Sequence, residues 1–143
     1  MSKLKLAAAD AEDLDILSAR VQDAVGQLKN FIWLPKKRRF AMVLNRLQWE
    51  EGGKTRVRSG LHFDGVLQVQ SHKVKLGAGD AVVSILALRF TASDGEDPGG
   101  VVEIVLGGGG AIRLTVECMD AELADMTAPW AAQGKPDHGR ETA

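Results

Sequence analysis

From residue 28 to residue 118 the chain is a succession of short runs in which apolar and polar residues alternate, separated by glycine-rich turns. A period of two sends successive side chains to opposite faces, the pattern of β-strands with one buried side. Residues 31–34 form an apolar run, Pro35-Lys36-Lys37-Arg38 breaks it, and residues 39–50 read as a long strand, so the pair predicts a hairpin with a basic turn. Phe40, Met42 and Leu44 share one face of that strand, whereas Leu47 and Trp49 fall on the other. A bulge near Asn45-Arg46 would return all five to a common face. Residues 55–58 and 61–70 alternate next, and Gly65 predicts a kink or bulge. After the turn Gly77-Ala78-Gly79-Asp80, residues 81–91 are apolar nearly throughout and read as a central strand buried on both faces. Residues 93–100 read as a surface loop, and residues 101–106 and 111–118 flank four glycines as another hairpin.

Two segments read as helices. Asp10 suits an N-cap, with Asp13 three residues on, and Leu14, Leu17, Val21 and Ala24 or Val25 recur on one helical face until Gly26 offers a left-handed cap. Near the other end Met119, Leu123, Met126 and Trp130 step as an apolar stripe that predicts a second helix, limited by Pro129. Short turns imply antiparallel neighbours, and a helix segregated at each end implies α+β. The expected architecture is a strongly bent antiparallel sheet of about seven strands with an N-terminal and a C-terminal amphipathic helix, which resembles the pleckstrin-homology roll. Residues 1–132 form this single domain, and residues 133–143 read as a flexible polar tail.

At 143 residues the chain is long enough to bury its own core. No run approaches the ~20 apolar residues of a membrane-spanning helix, and one cysteine excludes an internal disulfide, so a cytoplasmic location is expected. The formal net charge is −1, but residues 1–75 carry 14 basic against 8 acidic residues and residues 76–143 carry 4 against 11. Such halves either present an anion-binding surface or attract each other, within one chain or between chains.

The sharpest local charge is Lys36, Lys37, Arg38 and Arg39, four adjacent cations whose mutual repulsion favours an anionic partner. Between Lys29 and Arg58 nine basic residues stand against two acidic ones, with Phe31, Trp33, Phe40 and Trp49 interleaved, which also suits bases stacked on rings. The competing reading is a solvated hairpin tip whose aromatic neighbours point into the core. Elsewhere the signals are weak. Gly107 to Gly110 lead into a strand, not the helix a phosphate loop requires. His62, His72 and His138 lack metal-ligand spacing, and Cys118, in register with Ile112, Leu114 and Val116, should be buried and inert. No catalytic residue, metal site or cofactor is assigned.

Several stretches together are similar to an uncharacterised alphaproteobacterial family, the domain of unknown function numbered 2948. The residues that carry the similarity are Leu34-Pro35-Lys36-Lys37-Arg38-Arg39-Phe40, Asn45-Arg46, Gly60-Leu61-His62-Phe63, Leu86-Ala87-Leu88-Arg89-Phe90 and Gly109 to Leu114, in an order kept over about residues 4–138. The resemblance implies a small cytoplasmic bacterial protein and carries over no activity, ligand or catalytic residue. The expected function is therefore a non-enzymatic binding or adaptor domain that engages an acidic partner through the basic hairpin. That partner is an acidic protein surface, another copy of the chain, a nucleic acid or an anionic membrane surface. A second class, a small-molecule binder or enzyme with its site within the bent sheet, would use the strand-borne Arg46, Arg58, His62 and Arg89. A structural oligomer subunit is the third.

Overall fold

The alternating runs pair into one antiparallel sheet, seen in a computed structural model that describes residues 3–76 and 78–132. In chain order the elements are β1 (Lys5–Ala8), α1 (Ala11–Val21), β2 (Val25–Gln27), β3 (Phe31–Leu34), β4 (Arg39–Leu47), β5 (Thr55–Asp64) and β6 (Val66–His72). There follow β7 (Val82–Ala92), β8 (Gly100–Leu106), β9 (Ala111–Val116), β10 (Ala121–Asp125) and β11 (Trp130–Ala131). Hydrogen bonding links them in the order β1-β10-β5-β4-β2-β7-β8-β9-β6, with β3 also on β4 and β11 also on β5. β5 and β6 are one run of chain bent at Gly65, whose φ of 70° is open to glycine at little cost. The bend transfers the chain from its partners β4 and β10 to its partner β9.

α1 starts where the sequence predicts. The Asp13 amide donates to Asp10 Oδ1 at 2.8 Å, and the Asp13 carboxylate accepts from the Ala9 amide at 3.0 Å. Leu14, Leu17 and Val21 are its buried face, and Ser18 Oγ accepts from the Leu88 amide, docking the helix on β7. The inner face of the sheet is built of cross-strand rows. Phe40, Phe63 and Ala121 lie opposite one another on β4, β5 and β10, as do Met42, Leu61 and Leu123. All six are 2% exposed or less, within one continuous core.

Several expectations are corrected. Among the described residues the fold is mostly β with a single α-helix, not an α+β pleckstrin-homology-like roll of seven strands closed by a helix at each end. The stripe predicted as the C-terminal helix forms β10 and β11 instead. Met119, Ala121 and Leu123 point inward at a period of two, while Met126 and Trp130 are 51% and 41% exposed. Pairing with β5 satisfies backbone groups on both sides, whereas a helix before Pro129 would leave that edge of β5 open. The bulge near Asn45-Arg46 is absent: β4 pairs with β5 in unbroken register from Arg39↔Asp64 to Leu47↔Arg56, so strict alternation carries Arg46 inward. α1 ends at Val21 and Asp23 adopts the left-handed conformation, φ 64°. Gly26 lies in β2, where a Cβ would meet the Val43 carbonyl at 2.9 Å. β7 is interior to the sheet but covered on one face, since Val82 and Leu86 are 63% and 46% exposed. β9 stops at Val116, so Cys118 is exposed. The polar tail at 133–143, His138 and Gly77 lie outside the described residues.

Candidate functional site

The basic turn connects β3 to β4. Pro35, Lys36 and Lys37 make one 3-10 turn, and Arg38 closes it in the left-handed region, φ 51°. Sequence places four cations here, but folding brings acidic residues from the second half of the chain beside them. Arg38 Nη1 lies 2.9 Å from Glu117 Oε2, just beyond β9. Arg39 grips Asp64, opposite it on β5, through Nε at 2.7 Å and Nη2 at 3.2 Å. That hydrogen bond raises the Arg39 pKa, against desolvation, with the Glu122 and Asp120 charges adding to it. His62 Nε2 is 3.4 Å from the same Asp64 carboxylate. Lys36 and Lys37 remain exposed, with no carboxylate within ion-pair distance among the described residues.

The two charged halves therefore meet within one chain. Lys5–Glu122, Lys29–Asp80, Arg38–Glu117 and Arg46–Asp125 all join a cation of residues 1–75 to an anion of residues 76–143. Beside the turn, β3 shows Ile32 and Leu34 to solvent, 47% and 36% exposed. The interleaved aromatics are elsewhere engaged: Phe31 and Phe40 are core, Trp33 packs against it, and Trp49 donates its indole N–H to the Gln22 carbonyl at 2.9 Å.

Arg46, Arg58, His62 and Arg89 do not converge. Arg58 and His62 project from the face of β5 opposite the buried Val57, Ser59, Leu61 and Phe63, and Arg89 lies exposed on β7. Arg46 alone is inside, 0% exposed, and every guanidinium N–H has an acceptor. Nε donates to Ser59 Oγ at 3.2 Å and Asp125 Oδ1 at 3.1 Å. Nη1 donates to the Leu47 carbonyl at 3.3 Å and Glu50 Oε1 at 3.0 Å, and Nη2 to Glu50 Oε2 at 2.8 Å and Asp125 Oδ2 at 3.1 Å. Ser59 Oγ donates to Asp125 Oδ1 at 2.6 Å, and the Leu4 amide donates to Asp125 Oδ2 at 3.1 Å. Arg20 of α1 stands 3.9 Å from Glu50. With its donors saturated, Arg46 has none left for a ligand: the cluster clamps β1, β4, β5, β10 and the turn at Trp49–Glu51 together.

Asp125, Ser59 and Glu50 are the residues sequence reasoning missed. The signal was the period of two through Met119, Ala121, Leu123 and Asp125, which the helical stripe masks. The hydrogen bond from Arg46 holds the Glu50 carboxyl below the ordinary carboxylate value of 4.5, against the opposing effect of burial. A lowered folded-state value means stability that is complete above the unfolded pKa and lost as pH falls through the folded one. Urea unfolding should therefore be nearly flat in its Glu50 contribution above about pH 5 and weaken below it. In Glu50→Gln that part of the slope disappears; parallel profiles for the two proteins would contradict the assignment.

Among the described residues no group of three or more His, Cys, Asp or Glu side chains is placed to hold a metal ion, and no helix is long and apolar enough to cross a membrane. A family model described as a protein of unknown function (DUF2948) matches residues 4–138, and the chain belongs to that family. Neither a curated protein nor a solved structure matches it.

Proposed function

We propose that this member of the DUF2948 family is a non-enzymatic binding domain that docks an acidic segment of another protein against the β3–β4 turn. The observation that carries the reading is the pair Lys36 and Lys37, exposed and, among the described residues, without carboxylate partners where Arg38 and Arg39 beside them are already matched. Two adjacent ammonium groups next to the exposed Ile32 and Leu34 suit a ligand with carboxylates and aliphatic side chains. A nucleic acid suits the surface less well, because the aromatic rings around the turn are committed to the core and offer no stacking platform. A second copy would fit through its loop at Asp94, Glu96 and Asp97, which is exposed and also acidic.

The test is fluorescence anisotropy with a labelled peptide of alternating glutamate and leucine, a single-stranded oligonucleotide and phosphatidylglycerol vesicles, at ~50 and ~300 mM salt to vary screening. Light scattering runs alongside. The peptide is expected to bind at low salt and weaken at high salt, and Lys36→Glu with Lys37→Glu to weaken it about tenfold or more, roughly 1.4 kcal/mol. Absence of peptide binding at low salt, or equal binding by the reversed variant, overturns the proposal. Binding to the oligonucleotide or vesicles alone overturns the protein partner, and salt-sensitive dimers make the second copy the partner.

A further inference from the structure

We propose that the outer face of β6 to β9 carries a separate site for a small phosphate-bearing molecule. Across four strands one row runs Arg89, Glu103, Arg113 and Gln70, and the next runs Ala87, Val105, Ala111 and His72. The second row is short-chained at Ala111, which lines a dip in the sheet beside His72, Val105 and Arg113. The resulting groove has a volume of about 300 Å³, and an adjoining hollow of about 340 Å³ shares His72, Ala111 and Arg113 with it. These volumes are at the small end of ligand sites.

The charge in the groove is unbalanced. Arg113, with a side chain 62% exposed, has Glu103 at 3.5 Å, and Arg89 lies directly across from the same Glu103. Two guanidinium groups thus face a single carboxylate, itself 29% exposed, and the His72 imidazole adds another nitrogen. Gly109 and Gly110, of the four-glycine turn, line one end. Gly108 and Gly109 have φ of 83° and 90°, and a Cβ on Gly109 would lie 3.9 Å from Lys73 Nζ, so a further cation stands at the rim. With no side chains on that wall, a ligand can approach the backbone, while Leu86, 46% exposed, offers apolar contact for the rest of it. Paired guanidinium forks match the several oxygens of a phosphate better than one carboxylate does.

The probes are phenyl phosphate, inorganic phosphate and benzoate, titrated into the ¹⁵N-labelled protein and followed by amide shifts. Phenyl phosphate is expected to shift Gly109, Gly110 and Ala111 and to bind more tightly than benzoate. Arg89→Ala and Arg113→Ala should each weaken it about tenfold, while Lys36→Ala with Lys37→Ala leaves it unchanged, which separates this site from the docking turn. Arg113→Lys, with the charge but without the fork, should fall between. No localised shifts at millimolar phenyl phosphate, shifts that persist in both arginine variants, or benzoate binding as tightly as phenyl phosphate each overturn the proposal. Thermal melts of the variants, expected to match the parent since both arginines are exposed, show that a loss is not unfolding.

Discussion

Asp125→Ala should lower the unfolding free energy by about 3–5 kcal/mol, because it takes one of two carboxylate partners from a buried guanidinium and leaves it with Glu50 alone. Arg46 is wholly enclosed and the Asp125 side chain is 3% exposed, so water cannot replace the lost carboxylate. The same substitution strips the acceptor from Ser59 and from the Leu4 amide, which loosens β1 as well. Replacing both charges behaves differently: Arg46→Met with Asp125→Ala removes the buried ion and should recover much of the loss. Urea denaturation of the two single variants and the double gives the coupling directly. A cost for Asp125→Ala below about 1 kcal/mol, the range of exposed pairs, would mean that Glu50 alone balances Arg46 or that Arg46 reaches solvent.

Phe63→Ala should cost a similar amount, about 3–5 kcal/mol, for a different reason. The ring is 0% exposed and lies between Phe40 on β4 and Ala121 on β10, near the end of β5 that leads into the bend at Gly65. Truncation loses the burial of the ring and leaves a cavity whose walls are backbone-constrained strands, so collapse is limited. The midpoint in urea should fall with an unchanged slope, since the surface exposed on unfolding is nearly the same. A loss under about 1 kcal/mol would place Phe63 at the rim of the core, and β10 elsewhere than beside β5.

These two effects also mark what could and could not be read in the chain. Local signals were legible. Asp10 and Asp13 located the helix start, Pro35 to Arg38 and the four glycines located two hairpins, and Gly65 located the bend between β5 and β6. Two kinds of information were not local. Residues 119–130 satisfy a helical stripe and a strand alternation at once, and only the open edge of β5 decides between them. Arg46 fell on the apolar face of its strand, where the sequence alone argues for a bulge that would turn it outward. Its partner Asp125 is 79 positions away, so the compensation that lets it stay inside is visible only in the folded chain. The same holds for the basic turn. Sequence counts four cations, and the fold assigns carboxylates to two of them.

That division between matched and unmatched cations is the centre of the functional reading, and it separates two variants of equal charge change. Lys36→Ala with Lys37→Ala should weaken salt-sensitive binding of the acidic peptide by about tenfold. Arg38→Ala with Arg39→Ala should weaken it by no more than about threefold, the scale of the exposed pairs it breaks. Measured side by side at ~50 mM salt, where screening is weak, that order supports docking at the two lysines. Loss of binding with the arginine variant and retention with the lysine variant would contradict it.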